Sequence, residues 1–372
     1  MKTLNRRELL AGLFALGCSP ALLSAEISAP LKKEHEIWLS AQGKTADDYG
    51  LARLSQYAPP RVLRSGFRGH GLSKNPRNQK VVLFPRYPGT EALEFDLNNP
   101  AQQQFASLND HVMSGHGVFS ADGQYLYCVE VSKTDGSGLI SVRDTQQYKV
   151  QRQFQSGGIG PHEIKWLPDG KTLVLANGGL ITDGKGNAIN LDSMDSNLTY
   201  LDAASGKIIS QWRINEPKAS LRHIDVSPQG KVAIAIQLQR EACNHQNLVP
   251  LCAVHDGQNP IELLQAPETL LSSLQDYVGS VCISPKSNIA GFTSPRGNLA
   301  CFWHLDKKQI LAAHRMQDVC GITLGDNGAH FMLSNSAGQL QQLDAFNLRE
   351  IPGSRINNKN LAFDNHMLTV QI

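Results

Sequence analysis

From residue 68 onward one unit repeats along this chain, and that repeat constrains the fold more than any other feature. Each unit opens on a polar residue, runs apolar, turns tightly and runs apolar again. Four openings carry a histidine at the same place: Arg68-Gly-His70-Gly, Ser114-Gly-His116-Gly, Gly160-Pro-His162-Glu163 and Leu221-Arg-His223. Three of these runs close on related turns, Ser120-Ala-Asp122-Gly123, Leu167-Pro-Asp169-Gly170 and Ser227-Pro-Gln229-Gly230. Second strands follow at Val81–Phe84, Tyr125–Val129, Thr172–Ala176, Val232–Ile236, Ile289–Phe292 and His330–Leu333, and third strands such as Leu198–Leu201 end in Asp before a further turn. No long amphipathic helix interrupts them.

Openings recur at His70, His116, His162, His223, Ser280 and Gly321, then near Leu361, at a spacing of roughly 40 to 60 residues, which is the period of a four-stranded propeller blade. The prediction is an all-β, seven-bladed β-propeller. The last unit is short, ending soon after Phe363-Asp-Asn-His366, and its outer strands are expected from Glu36–Leu39, Tyr49–Leu54 and Arg61–Arg64. Six blades are the alternative if those N-terminal strands are peripheral. A two-domain sandwich does not explain a repeat that runs through the middle of the chain.

Residues 1–25 read as a twin-arginine export signal. Arg6-Arg7 precedes an apolar stretch from Leu9 to Leu23, and Leu23-Ser24-Ala25 resembles a small-residue cleavage site. A single domain is expected over 26–372, in the periplasm. Lipidation at Cys18 is a weaker reading, because Ala15-Leu16-Gly17 matches a lipoprotein box poorly. The interior has no apolar run of membrane-spanning length. A net charge of +2, with 35 basic and 33 acidic residues and no long like-charge run, argues against a nucleic-acid surface. A monomer is expected. Cys243 and Cys252 flank a polar loop and are candidates for a disulfide in an oxidising compartment; with His245 and His255 nearby they also permit a metal reading of non-standard spacing. Cys128, Cys282, Cys301 and Cys320 lie in apolar runs and read as buried thiols.

In a propeller the start of the innermost strand and the end of the second strand meet at one end of the central channel. The first position supplies Arg68, His70, His116, His162, Glu163, Arg222, His223, Ser280 and Asp318; the second supplies Arg86, Glu130, Asn177, Gln237, Arg296 and Asn335. The long connections 178–197 and 239–248 rise over the same face, where a rigid scaffold displays binding groups. These residues are expected to form a polar channel mouth. His70, His116, His162 and His223 are candidate ligands for Fe, Cu or Zn, with Glu130 or Glu163 as an oxygen donor. An organic anion or metal chelate held by the His/Arg/Asn/Gln set is the other ligand reading. The plainer one is that the histidines fill the channel, and that Glu130 and Glu163 form structural ion pairs with Arg68, Arg86 or Arg296.

The chain has no nucleophile elbow, HExxH helix, Walker loop or haem-attachment motif. Asp183, Asn187, Asn190, Asp192 and Asp195 are calcium-competent, but their spacing departs from an EF-hand and a solvated loop fits better.

Arg68-Gly-His70-Gly, 115–123, Gly158-Ile-Gly-Pro-His162-Glu163, Ala176-Asn-Gly-Gly179, Asn190-Leu-Asp192, Tyr277-Val-Gly-Ser280, Thr293-Ser-Pro-Arg296 and Asp318-Val-Cys-Gly321 together resemble, in order and over nearly the whole mature chain, a bacterial family numbered 1513 among domains of unknown function. The resemblance implies an exported seven-bladed propeller of WD-repeat or YVTN-like architecture. It also implies a link to iron uptake, since members are often encoded beside imelysin-type periplasmic proteins and a haem-containing oxidoreductase. The sequence departs from the family pattern in three places. Pro85-Arg86-Tyr87-Pro88-Gly89 stands where a second arginine is expected, Val131 stands where Asn usually follows Glu130, and Ser284-Pro-Lys-Ser287 replaces a Pro-Asp-Gly turn. The expected function is a periplasmic binding or accessory protein with a ligand or metal site in the channel. The alternatives are a metal-dependent oxidoreductase or lactonase-like hydrolase, and a protein-docking platform.

Overall fold

The structure, a computed structural model, describes residues 36–372 apart from Tyr57, Gly184 and Lys185. The export signal and Cys18 lie outside the described residues. Seven four-stranded antiparallel sheets form the molecule. Their inner strands are Gly69–Lys74, His111–Phe119, Pro161–Trp166, Ala219–Val226, Ser280–Ser284, Val319–Gly325 and Phe363–Gln371. We number the blades 1 to 7 in that order. Each inner strand packs on the next, and Phe363–Gln371 packs back on Gly69–Lys74, closing a ring around a central channel. This is the expected seven-bladed propeller. Among the described residues no helix is long and apolar enough to cross a membrane.

The blades hold together through period-2 alternation with both faces apolar. In Lys80–Pro85, Val81 and Leu83 pack against Ile37, Leu39 and Leu51 of blade 7. Val82 and Phe84, pointing the other way, pack against Met113, Leu126 and Cys128 of blade 2. A strand buried on both sides must read as a continuous apolar run, which is why the second strands were legible. Each fully buried aliphatic side chain here contributes on the order of 2 kcal/mol. Where third strands end, an Asp carboxylate accepts backbone N–H groups of the following turn: Asp144 from Gln146 and Gln147, and Asp344 from Phe346 and Asn347. That local ring mimics a backbone turn and fixes the hairpin.

Blade 7 is built from both ends of the chain. Phe363–Gln371 is its inner strand, and Glu36–Gln42, Gly50–Leu54 and Arg61–Arg64 pair outward from it in that order. These are the segments expected to complete the last unit.

The inner strands share an irregularity that positions the site. Pairing with the second strand slips between Gly69 and Leu72, Met113 and Gly117, Pro161 and Glu163, Leu221 and His223, and Val319 and Ile322. It slips again between Phe363 and Met367 in blade 7. Only blade 5, which opens on Ser280, pairs without a slip. A regular inner strand sends its side chains left and right into the blade interfaces and shows the channel only its backbone edge. A bulge twists that edge locally and re-aims a side chain.

Candidate functional site

His70, His116 and His162 lie in these bulges and His223 directly follows one; His366, in the blade 7 bulge, joins them. The five imidazoles come from five different blades, and in nine of their ten pairs, all but His162–His366, the ring centroids lie 4.4 to 5.9 Å apart. Such convergence is only reached on the axis of the ring. His70, His116, His162 and His223 are 2 to 6 % exposed, so the cluster is buried inside the channel and not displayed at an open mouth. Two glycines make room for it. A Cβ on Gly71 would stand 2.2 Å from the Gly115 carbonyl oxygen and 2.8 Å from His116 Nδ1; one on Gly115, at φ +108°, would stand 2.8 Å from His70 Cδ2. The Gly-His-Gly spelling thus has a steric cause.

Two buried carboxylates back the imidazoles. Asp364 Oδ1 lies 2.9 Å from His70 Nδ1, and Arg68 and Arg86 each reach Asp364 at 3.2 Å. Glu163 Oε2 lies 3.2 Å from His223 Nδ1 and accepts the Ile224 N–H at 3.0 Å; Glu163 Oε1 lies 3.1 Å from Lys165 Nζ and 3.7 Å from His116 Nδ1. These contacts assign Nδ1–H donors to His70 and His223, so each carries its lone pair on Nε2. His223 Nε2 stands 3.2 Å from His162 Nε2. His116 Nε2 and His366 Nε2 are buried without a hydrogen-bond partner.

The electrostatics favour neutral imidazoles beside ionised carboxylates. Burial pulls His223 down to about 4 against the opposing pull of Glu163. Burial, with neighbouring histidines adding to it, holds His116, His162 and His366 well below the usual histidine range. His70 is lowered by burial despite Asp364. For Glu163, burial acts to raise the carboxyl, but Lys165, His116 and His223 outweigh it and hold it well below its ordinary value. Asp364 is likewise lowered, with His70 and Arg86 overcoming burial.

At neutral pH the channel therefore offers nitrogen lone pairs. Ligand atoms of His70, His116, His162 and His223 all lie within 4.8 Å of one another. Tetrahedral Zn–N bonds place nitrogens about 3.3 Å apart, so the His162–His223 pair at 3.2 Å is already at ligand spacing and the others need draw in by at most about 1.5 Å. A histidine that donates its far N–H to a carboxylate is oriented and made more basic as a ligand. His70 with Asp364 and His223 with Glu163 have that arrangement.

Of the other expected site residues, Arg68, Arg86 and Arg222 flank the cluster, but several stand apart. Glu130 is no ligand: it is fully buried with Arg143 at 2.7 Å and the Leu108 N–H at 2.7 Å, so its carboxylate is consumed between strands. Its ion-pair partner is Arg143, not Arg68, Arg86 or Arg296. Asn177 is tied up with Ser156, Asn197 and Thr199, and Asn335 with Gln317 and Gln339. Gln237 bridges its backbone to Tyr277, Arg296 lies over the Tyr277 ring at 4.8 Å, and Asp318 accepts the Ser336 hydroxyl. Ser280 Oγ, by contrast, is 3.4 Å from His366 Nδ1.

The expected Cys243–Cys252 bridge is not formed; both thiols are free, Cys252 buried in the core of blades 3 to 5 and Cys243 on the loop beside Gln239. Cys243 instead comes within 4.8 Å of His245 and Glu216, and His245 Nε2 lies 2.9 Å from Glu216. In the candidate calcium loop Asn187 donates to Asp183, Asn190 accepts the Ile181 N–H, and Asp195 pairs with Arg213, so these groups serve the loop itself.

Sequence reasoning missed His366, Asp364 and Lys165. The signal was present for the first two, since the inner strand of the incomplete unit was placed near Leu361. Lys165 lies two residues beyond Glu163 on the same inner strand.

Residues 64–370 match the family described as "Protein of unknown function (DUF1513)". The chain is also similar to hydrazine synthase subunit beta of Kuenenia stuttgartiensis, at 30% identity over 120 residues. That stretch is 32% of this chain and 26% of the relative, so only about a quarter of the relative's length is matched.

Proposed function

The chain belongs to the DUF1513 family, whose description assigns no activity, and from its channel we propose that it is a transition-metal-binding protein acting as an exported binding or accessory component. The observation that carries the reading is the convergence of five imidazoles from five blades, two of them backed by Asp364 and Glu163. An all-imidazole donor set suits Cu, Zn, Fe, Co or Ni and is poorly matched to Mg or Ca, which take oxygen. Burial and depressed basicity are costs for histidines that merely fill space, but they are what a metal cage needs, because ligands must be unprotonated.

Export rests on Arg6-Arg7, the apolar stretch to Leu23 and the Leu23-Ser24-Ala25 site. With a metal cargo or cofactor, an exported protein of this kind suits a role in periplasmic metal handling, iron included. The short similarity to a hydrazine synthase subunit carries no reaction to this chain.

The test uses protein recovered from the exported fraction and purified without chelator, its N-terminus read by mass. The expected N-terminus is near Glu26. The protein is dialysed against Fe(II), Co(II), Ni(II), Cu(II) and Zn(II) and its metal measured by elemental analysis beside a His116→Ala/His162→Ala variant. Near-stoichiometric retention that the folded variant loses is the expected result. Folded wild-type protein that retains none of the five ions overturns the metal reading, and an intact N-terminus overturns the export reading.

A further inference from the structure

Arg222 occupies the bulge of blade 4, directly before His223, and its charge is unanswered. Three carboxylates on the inner strands around the cluster are taken: Asp364 by Arg68 and Arg86, Glu163 by Lys165, and Asp225 by the Ile283 N–H at 2.7 Å with Lys165 facing it. Arg222 makes no hydrogen bond and no ion pair with any described residue, and its Nε is fully buried. The buried Arg143 is paired with Glu130, and the half-buried Arg240 with Asp276. Arg222 is also within electrostatic reach of His70, His162 and His223, and of Arg86, a second cation. Space is kept for it: a Cβ on Gly178 would lie 3.0 Å from Arg222 Nη1.

A half-buried guanidinium whose Nε is shut away from solvent and which has no anion beside it is an unfavourable arrangement, and a divalent ion among the histidines would deepen the positive potential around it. The guanidinium fork matches a carboxylate or similarly shaped oxyanion with two parallel N–H donors. We infer that the channel takes a small carboxylate or like-shaped oxyanion, held by Arg222 with Arg86 as the second cation, and placed to give one oxygen to an ion in the histidine cage. This inference rests on the metal reading for its last clause only; capture of the anion by Arg222 stands on the unpaired guanidinium. The ligand class that follows is a metal together with its anionic co-ligand, with the protein supplying nitrogens on one side and the guanidinium on the other.

The probe is acetate, titrated in chloride-free buffer into Co(II)-loaded protein and followed by the visible d–d spectrum. A parallel calorimetric titration uses metal-free protein. A saturable spectral change is expected, weakened at least tenfold in Arg222→Gln at unchanged cobalt stoichiometry. Arg222→Lys, which keeps the charge but not the fork, should fall between and covers the case in which Arg222→Gln does not fold. Equal acetate affinity in wild type and both variants, or no saturable change in cobalt-loaded wild type, overturns the inference. If cobalt does not bind, the spectral arm has no chromophore and the metal reading is decided by the five-ion dialysis; the calorimetric titration then decides the anion site, with heat lost in the Arg222 variants supporting it and no heat in wild type overturning it.

Discussion

Glu163 and Glu130 are both buried glutamates near the inner ends of their blades, yet their surroundings give them opposite work. Glu163 faces imidazoles, and Glu130 faces Arg143 and a backbone N–H. Replacing Glu163 with Gln keeps the shape but removes the charge that orients His223, and is expected to weaken metal binding about 10- to 100-fold. Glu130→Ala should leave metal affinity unchanged while costing about 3 to 5 kcal/mol of stability, because Arg143 is stranded inside the protein. Dialysis with elemental analysis and urea unfolding on the same two variants separate these outcomes. Sequence position alone could not distinguish the pair. Glu130 lies near the end of a second strand, Tyr125–Ser132, close to where the propeller logic required, but its side chain is claimed by a residue on the neighbouring third strand, which only the fold brings near.

The inner strand is the element on which the site depends, and its function lies in a defect. Without the bulges the histidines would point into apolar blade interfaces, where an imidazole lacks partners. Gly71 sits in the bulge of blade 1, where its missing Cβ lets the Gly115 carbonyl and the His116 ring approach. Gly71→Ala is therefore expected to push blades 1 and 2 apart at the cluster, destabilising the protein by a few kcal/mol. It should also lower metal retention, although no candidate ligand is changed. Near wild-type unfolding and metal content would contradict this account of the bulge. The strands themselves were legible, because runs such as Val81–Phe84 and Val232–Ile236 bury both faces. The bulges were not, since a register slip depends on pairing across a turn and leaves no periodic trace. What betrayed them was the repeated Gly beside His, which has a local steric reason.

At the scale of the whole molecule, the ring concentrates titratable groups where water is scarce, and this sets its response to acid. The five imidazoles are held below the ordinary histidine value of about 6.5 when folded, His223 at about 4. Between those limits the unfolded chain binds more protons than the folded one, so stability is full above pH 6.5 and falls as pH drops toward 4. Each imidazole adds a slope of about 1.4 kcal/mol per pH unit over the window it spans. Asp364 and Glu163, both depressed, contribute stability that is present above their ordinary range and lost below it. Urea unfolding of metal-free protein at pH 7.5, 6 and 5 should reveal the decline, and His366→Gln should make it shallower by one imidazole's share. A flat profile would mean the histidines are solvated. The seven-fold architecture and its closure by both chain ends were readable from the repeat count. His366 was overlooked because its unit is truncated, so the turn that follows the other histidines has no counterpart there.

Closure by two distant chain segments leaves a seam inside blade 7, where Phe363–Gln371 pairs with Glu36–Gln42, as in any ring that is zipped rather than welded. Here the seam is pinned from within. Asp364, on the closing strand, grips His70 and Arg86 of blade 1 and Arg68 just ahead of it, while His366 faces imidazoles from blades 1, 2 and 4. An ion bridging His366 to any of them becomes a latch across the barrel's mouth of last entry, so occupancy of the cage and resistance of the ring to springing open are one property read in two ways.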